Sequence, residues 1–268
     1  MLEFICFGSG SSGNSCMISN GKDALFIDAG IGIRSLKKYL YQYGVDKLKV
    51  KGILITHDHA DHICSAGLLS SYINTSVYVS PKIYSKIIMK NSRYRIDRNR
   101  LSIIETEKPI KFGDFDVTAF SIPHDATDNL GYSISFENEV FTLMTDIGKP
   151  TDDIKSYISR SNYLIIEADY DIDRLASNPR YNDFLKERIT CGLGHLSNQQ
   201  TSQLLFDNFH KDLAFIALCH LSEENNSPEL AIQTVICKLK QKELIEGVDY
   251  KLEALNRKGI SGPWKLSK

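Results

Sequence analysis

Short apolar runs recur along the chain and predict β-strands. They cover residues 2–7, 15–19, 23–28, 50–56, 76–80, 116–122, 131–136, 140–145, 163–167 and 213–219. Several of these runs are continuously apolar instead of alternating, which is typical of strands that are covered on both faces.

Helical patterns lie between the predicted strands. The three clearest cover residues 34–43, 197–209 and 228–242. The first has apolar side chains at i, i+3, i+4 and i+7. The second begins with Ser197-x-x-Gln200, a capping-box pattern, and the third follows Ser227 with Pro228 at its first position. Because strands and helices are interleaved, the pattern predicts an α/β layered fold.

Composition narrows the class of protein. The 268 residues contain no repeats and no Pro/Gly-rich linker, so we expect one domain over residues 1–268. The net charge of -1 provides no global positive field for nucleic acid. Six cysteines are scattered without a Cys-x-x-Cys pair, which argues against a cysteine-type zinc site and a disulfide framework. No signal peptide or membrane span is recognisable, so we expect a cytoplasmic protein without membrane association.

The densest chemistry lies in the run Thr-His-Asp-His-Ala-Asp-His at residues 56–62. His57, His59 and His62 account for three of the seven histidines and follow a buried strand. Buried neutral imidazoles each need a partner, so the cluster is hard to explain as core packing. Imidazole and carboxylate groups suit zinc or another first-row divalent metal, and we interpret the run as part of a metal site.

Three further residues that can bind metal also follow predicted strands. They are His124, Asp146 and His220. Each has an ordinary alternative as a turn residue, an Asx turn or a capped strand end. In layered α/β folds, however, sites form where loops leave the carboxyl ends of strands, so their recurrence favours one shared site.

This pattern resembles the metallo-β-lactamase fold superfamily. The resemblance runs from Asp28 to His220 and includes the later His, Asp and His residues after strands. The runs Gly-Ser-Gly-Ser-Ser-Gly-Asn-Ser (8–15), Gly-His-Leu-Ser-Asn (194–198) and His-Leu-Ser-x-x-Asn-Asn (220–226) are similar to the YycJ/WalJ-like branch. That branch is related to tRNase Z-type and other phosphodiester-cleaving members.

The resemblance implies a four-layered αββα sandwich with the metal site at one edge of the two sheets. It implies that one metal is held by His57, His59 and His124, that a second is held by Asp61, His62 and His220, and that Asp146 bridges them. Asp28 would orient the His-rich loop. Zinc is the expected metal, with manganese or iron as alternatives, because sites of this kind accept all three.

The implied activity is that of a metal-dependent phosphodiesterase or exonuclease acting on DNA or RNA through a metal-bridging hydroxide. Asp61 would act mainly as a ligand and could orient the nucleophile. His195 precedes a capped helix and could bind phosphate or protonate a leaving oxygen, or could be a loop histidine bonded to backbone. The alternatives are a hydrolase of small esters, thioesters or lactones and, less favoured, a non-hydrolytic iron redox or sensor protein.

Other features allow weaker inferences. The loop at 8–15 is predicted to be a tight turn in preference to a phosphate cradle, and it lacks the lysine of a P-loop. The basic run Arg93–Arg100 is either a solvated face or a nucleic-acid contact. We expect Cys219 in the core, and Glu167 and Asp169 behind the metal ligands instead of among them. His210 is expected at the surface or as a helix cap.

Overall fold

The computed structural model describes residues 1–45, 48–89 and 94–267. The strands are β1 (Leu2–Gly8), β2 (Ser15–Ser19), β3 (Asp23–Ile27), β4 (Lys49–Leu54), β5 (Val77–Val79), β6 (Leu101–Ile103), β7 (Ile110–Phe112), β8 (Phe115–Ser121), β9 (Leu130–Phe136), β10 (Glu139–Met144), β11 (Tyr163–Glu167), β12 (Phe215–Cys219), β13 (Lys251–Ala254) and β14 (Ser261–Leu266). The α-helices are α1 (Ile33–Gln42), α2 (Ala60–Ile63), α3 (Ala66–Ile73), α4 (Pro81–Met89), α5 (Asp152–Ile158), α6 (Ile172–Ser177), α7 (Asp183–Thr190), α8 (Asn198–Asn208) and α9 (Pro228–Leu239). Short 3-10 turns cover Arg98–Arg100 and Lys240–Lys242.

Two mixed sheets organise the described residues. The first has the order β14-β1-β2-β3-β4-β5-β6, and the second has the order β13-β12-β11-β10-β9-β8-β7. Together with the helices, they confirm the predicted α/β class. By contacts, the chain divides into two compact units, one comprising Met1–Ala119, Ala126–Leu130 and Asn256–Ser267, the other Phe120–Asp125 and Gly131–Leu255. The expectation of one domain over residues 1–268 stays a prediction.

The first unit is built on the first sheet. Neighbouring strands are antiparallel from β14 to β3 and parallel from β3 to β6. Alternate strand residues such as Phe26 and Ile53 share one core with Leu36 and Leu40 of α1 and Leu69 of α3. This is the period-two pattern of a strand meeting the amphipathic stripe of a helix, and each large buried side chain contributes about 1.5–3 kcal/mol of transfer free energy.

The second unit places its longest helices against parallel strands. Strands β10, β11, β12 and β13 run parallel to one another in that order. Their residues Ile166 and Leu218 share a core with Leu205 of α8 and with Val235 and Leu239 of α9. Because parallel neighbours end at the same edge of a sheet, β10, β11 and β12 bring the residues that follow them close together.

All ten predicted strands and all three predicted helices are present, with small shifts at their ends. The capping box of α8 has both of its hydrogen bonds, and Ser227 caps α9 with Pro228 in its first turn. The sequence analysis did not identify β6, β7, β13 and β14. These strands are short or lie at sheet edges, where a continuous apolar run is not required. In the described parts of the chain, every helix is too short or too polar to cross a lipid bilayer.

The cap of α9 gives a stability prediction. The Ser227 side chain accepts a hydrogen bond from the Leu230 amide at the start of the helix. Replacing Ser227 with Ala leaves that amide without its side-chain acceptor, so we expect the free energy of unfolding to fall by about 1 kcal/mol in urea titrations. Ser156→Ala, at an exposed position inside α5, is the matched control and should change it by less than about 0.5 kcal/mol. Equal effects of the two substitutions would contradict the capping role.

Candidate metal centre

The histidine-rich loop of the first unit leaves the end of β4, next to the end of its parallel neighbour β3. Asp28 directly follows β3, and its amide donates to the Leu54 carbonyl oxygen. Its backbone is left-handed, with φ of 61°, a conformation that is uncommon outside glycine and better tolerated by Asp. The sharp turn aims the Asp28 carboxylate at the loop that follows β4.

The Asp28 carboxylate binds this loop at three points. Its Oδ1 accepts from the Thr56 amide at 2.8 Å, and its Oδ2 accepts from the Thr56 hydroxyl at 2.8 Å and from His62 Nδ1 at 2.7 Å. Burial raises the pKa of Asp28, although His62 and Thr56 oppose this shift by stabilising the carboxylate. These contacts agree with the orienting role that the family resemblance implies for Asp28.

The predicted ligands of this unit converge. His57 Nε2 lies 3.0 Å from His59 Nδ1, and the ring centroids of His57 and His62 are 4.0 Å apart. His62 Nε2 lies 3.5 Å from Asp61 Oδ2. His57 and His62 are fully buried, whereas the Asp61 side chain is 25% exposed and faces solvent with one side. The loop therefore presents three imidazoles and one carboxylate together.

Asn14 joins this group, and the sequence analysis did not single it out. It lies in the loop between β1 and β2, and its Nδ2 is 2.8 Å from His62 Nε2 and 3.4 Å from Asp61 Oδ2. The backbone N–H of Asn14 donates to the Asp61 carbonyl oxygen at 2.7 Å. Asn14 lies in the Gly/Ser-rich run 8–15, but no spacing in the sequence connects this run to residues 61 and 62.

Asp58, between the first two histidines, points away from them and fixes the loop. Its carboxylate binds Lys86 of α4 and accepts from the Thr127 hydroxyl at 2.8 Å, while its carbonyl oxygen accepts from the Tyr94 hydroxyl at 2.8 Å. Burial opposes ionisation of Asp58, but the bonds from Lys86 and Thr127 lower its pKa below the usual value. On either side of Asp58, His57 and His59 lie together, with ring nitrogens 3.0 Å apart.

The second unit delivers its polar residues from the carboxyl ends of three neighbouring parallel strands. Asp146 follows β10, Glu167 ends β11, and His220 follows β12. Asp146 and His220 have left-handed backbones, with φ of 56° and 55°. Such conformations cost on the order of 1 kcal/mol each and concentrate at functional sites.

The side chains of this unit converge on the Asp146 carboxylate. Asp146 Oδ1 lies 3.7 Å from His124 Nε2, 3.5 Å from His220 Nε2 and 3.8 Å from His195 Nδ1. Asp146, Glu167, His195 and His220 each offer one ligand atom, and these atoms all lie within 4.8 Å of one another. All three predicted ligands of this unit, and the predicted catalytic His195, are thus brought together.

Glu167 holds these residues by hydrogen bonds. Its Oε1 accepts from His195 Nδ1 at 2.7 Å, and its Oε2 accepts from the amides of Ile147 at 2.7 Å and Leu196 at 3.1 Å. Burial alone would lower the pKa of His195, but Glu167, Asp169 and Asp146 together raise it to about 9. Burial raises the pKa of Asp169 to about 6. Glu167 therefore contacts His195 directly, and its place behind the metal ligands stays a prediction.

Asparagine and glycine residues in the runs 194–198 and 220–226 have structural roles. Asn198 and Asn226 exchange side-chain hydrogen bonds at 2.8–2.9 Å, and Asn226 also donates to the carbonyl oxygens of Ala168 and Asp169. A Cβ at Gly194 would lie 2.1 Å from the Ile189 carbonyl oxygen, so only glycine fits there. These contacts fix the loops that carry His195 and His220.

The donor sets fit divalent cations. The Nδ1 atoms of His62 and His124 donate to the Asp28 carboxylate and the Gly194 carbonyl oxygen. Because the Thr56 hydroxyl donates to Asp28, its oxygen accepts from His57 Nδ1 at 3.1 Å. Histidines that bind metal through one ring nitrogen usually have the other fixed in this way.

The outcomes for the remaining predictions differ. Residues 8–15 form the turn between β1 and β2, and Cys219 is buried in the core, both as predicted. His210 is partly buried, with Nε2 3.3 Å from the Ile158 carbonyl oxygen. Arg93 lies outside the described residues. Arg98 and Arg100 donate to carbonyl oxygens of Ile88 and Ser70, and both interpretations of the basic run stay open.

Comparisons with known proteins agree on one family. Residues 24–212 match the family model described as the beta-lactamase superfamily domain. The chain is 34% identical over 253 residues to the exodeoxyribonuclease WalJ of Streptococcus pneumoniae serotype 2, covering 94% of this chain and 93% of the relative. It is 30% identical over 241 residues to the exodeoxyribonuclease YycJ of Bacillus anthracis, covering 90% of each.

The fold agrees as well. The solved structure of the metallo-beta-lactamase fold protein YhfI from Bacillus subtilis superposes with a TM-score of 0.69 at 14% sequence identity, covering 98% of this chain and 100% of that one. The predicted fold class and family are therefore confirmed. The chain belongs to the metallo-β-lactamase superfamily and is a member of its YycJ/WalJ-like branch.

Proposed function

We propose that this protein is a metal-dependent exonuclease that hydrolyses phosphodiester bonds of DNA. The observation that carries the proposal is the pair of buried imidazole–carboxylate donor sets, one in each unit, whose outer ring nitrogens are fixed by the protein. The relatives that share nearly the whole chain length are named exodeoxyribonucleases, which favours DNA over RNA.

The proposed cofactor is a pair of divalent cations, zinc in the first place and manganese or iron otherwise. We assign His57, His59 and His124 to one cation, Asp61, His62 and His220 to the other, and Asp146 to both, as family membership implies. When bound, such cations lower the pKa of water to about 7 and offset charge on phosphoryl oxygens. Membership of the superfamily supports the assignment, as do the short distances between the candidate ligands of each unit.

Two residues of the chain act on the substrate in this proposal. The partly exposed Asp61 carboxylate, held by Asn14, orients the attacking water in addition to binding metal. His195 has its Nδ1 bound to Glu167, so Nε2 is the atom directed to substrate, where it donates to a phosphoryl oxygen or to the leaving oxygen. The His195 side chain is 21% exposed, more than the other histidines of its unit near Asp146.

The activity itself is tested on chelated and reloaded protein. We expect protein reloaded with zinc or manganese to shorten end-labelled DNA from one end. Chelated protein should be inactive, because without the cations nothing lowers the pKa of the attacking water to about 7. The same preparations are assayed on RNA and on a panel of thioesters and lactones. Hydrolysis of the small esters without any cleavage of DNA would overturn the proposal in favour of a small-molecule hydrolase.

Asp28 gives a prediction about metal affinity. Asp28→Asn retains the left-handed backbone but removes the charged acceptor of His62 Nδ1, so the affinity for metal should fall by about 10- to 100-fold. Competition with a metal-binding dye measures this. Asp114→Asn, which neutralises an exposed aspartate paired with Lys22, is the matched control and should leave the affinity unchanged. Unchanged metal affinity in Asp28→Asn would show that the contact does not support the centre.

His195 gives a prediction about turnover. His195→Ala should lower kcat on DNA by about 100-fold or more, because it removes a positioned proton donor, and should leave the metal content unaltered. His210→Ala, which removes a partly buried histidine that lies next to the Ile158 carbonyl oxygen, is the control and should retain full turnover. Metal analysis and single-turnover kinetics on all three proteins provide the comparison. Loss of metal along with activity in His195→Ala would assign His195 to the ligands instead.

A further inference from the structure

Asp125, the residue after the proposed ligand His124, brings a second carboxylate to that imidazole. Its Oδ1 lies 3.3 Å from His124 Nε2, which is nearer than Asp146 Oδ1 at 3.7 Å. His124 Nδ1 donates to the Gly194 carbonyl oxygen, which can only accept, so the neutral ring presents a lone pair at Nε2. Two carboxylate oxygens therefore lie beside this lone pair, an arrangement that is repulsive until a cation is bound among them.

The spacing of Asp125 and His124 matches that of two ligands on one cation. Bonds from zinc to nitrogen and oxygen are about 2.0–2.2 Å long, so two ligand atoms of a tetrahedral zinc ion lie roughly 3.3–3.6 Å apart. Asp125 Oδ1 and His124 Nε2 are 3.3 Å apart. The two atoms can therefore bind one ion without a change in the distance between them.

The same arrangement is found at the other proposed cation. Asp61 adjoins His62 in sequence, its Oδ2 lies 3.5 Å from His62 Nε2, and its side chain is 25% exposed. The Asp125 side chain has a similar exposed fraction of 29%. Family membership implies Asp61 as a ligand but not Asp125, so the cation at His124 has only neutral imidazoles as ligands of its own. A carboxylate there would offset the charge of the ion, as Asp61 does at the other cation.

Arg188 of α7 fixes the direction of the Asp125 carboxylate. Its Nε donates to Asp125 Oδ2 at 2.7 Å, and its Nη2 lies 2.7 Å from the same oxygen. Arginine–carboxylate pairs frequently use both oxygens in parallel, but here both nitrogens are directed at Oδ2, and Oδ1 is left for His124. The pair of Arg180 and Glu224 in the same unit differs, since Arg180 donates to both oxygens of Glu224.

The backbone holds Asp125 and Arg188 against the same loop. The backbone N–H of Asp125 donates to the Leu193 carbonyl oxygen at 2.9 Å. A Cβ at Gly194 would lie 2.4 Å from the Arg188 carbonyl oxygen, so the end of α7 is packed tightly on this loop. The contact between the two side chains is therefore fixed by the fold, unlike that of an ion pair between two freely moving surface side chains.

We propose that Asp125 Oδ1 is a further ligand of the cation assigned to His124, and that Arg188 is the residue that positions this carboxylate. The proposal rests on the pair of cations proposed above. Asp125 adds a negative charge to a set of neutral imidazoles, so it raises the affinity of this one cation. Arg188 acts through Asp125, without contact with the ion.

The test measures binding of zinc and of manganese to chelated protein by competition with a metal-binding dye. Asp125→Asn retains the size of the side chain but removes its charge, so one of the two cations should bind about 100-fold more weakly and the other unchanged. Arg188→Met should weaken the same cation by about tenfold, and it should add no further loss to Asp125→Asn, because it acts through this residue. Glu224→Gln and Arg180→Met disrupt an exposed pair of the same type and are the matched controls, with both affinities unchanged.

Anomalous diffraction from zinc-loaded crystals of the wild-type protein gives the geometry directly. The proposal expects Asp125 Oδ1 within about 2.0–2.2 Å of the cation that His124 binds. A water molecule between Oδ1 and this ion, or an Oδ1 directed away from it, overturns the ligand role. Equal losses of metal affinity in Asp125→Asn and Glu224→Gln, or no loss in either, overturn it as well.

Circular dichroism identifies any variant that has misfolded. Arg188→Met then carries the test, because the Arg188 side chain is 56% exposed and its truncation leaves the sequence of the ligand loop unaltered. The failures of the two proposals are distinguishable. Protein that binds two cations equally well with and without the Asp125 carboxylate contradicts only the role of Asp125. Protein in which Asp125 binds metal but no DNA is cleaved contradicts only the proposed nuclease activity.

Discussion

The fixed orientation of the imidazole rings is the constraint on which the candidate site depends. A buried imidazole can present a lone pair to a cation only if its other nitrogen has a partner, since otherwise the ring turns or the buried polar atom is left unsatisfied. The protein supplies that partner from the ends of neighbouring parallel strands. Asp28, after β3, fixes His62 in this way. Glu167, at the end of β11, fixes His195, whose Nε2 is proposed to contact substrate instead of a cation.

Strand geometry explains why these contacts recur in both units. Parallel neighbours end at one edge, and a left-handed backbone one or two residues after the strand turns the chain out of the strand direction. Asp28, Asp146 and His220 all have this conformation. The backbone strain of these residues is offset by the buried hydrogen bonds and cores around them, which is the usual way in which a rigid scaffold holds a functional site.

Much of the fold and part of the site could be predicted from sequence because their signals are local. Apolar runs predicted ten strands that the structure contains, and the density of histidines and aspartates at 56–62 predicted a metal site there. Asn14 could not be found in this way, since its contact with His62 joins residues far apart in sequence. The same holds for Lys86, whose bond to Asp58 depends on how α4 packs against the loop. Local sequence patterns indicate which residues can bind metal. The residues that hold them in position, in contrast, are brought there by tertiary structure.

The central claim is that the two donor sets bind a pair of divalent cations. Anomalous diffraction at the absorption edge of the bound metal, from crystals of protein reloaded with zinc or manganese, tests it most directly. The account predicts two peaks per chain, one within bonding distance of His57, His59 and His124, the other of Asp61, His62 and His220, with Asp146 touching both. Absence of peaks at these residues in protein that hydrolyses DNA would contradict it.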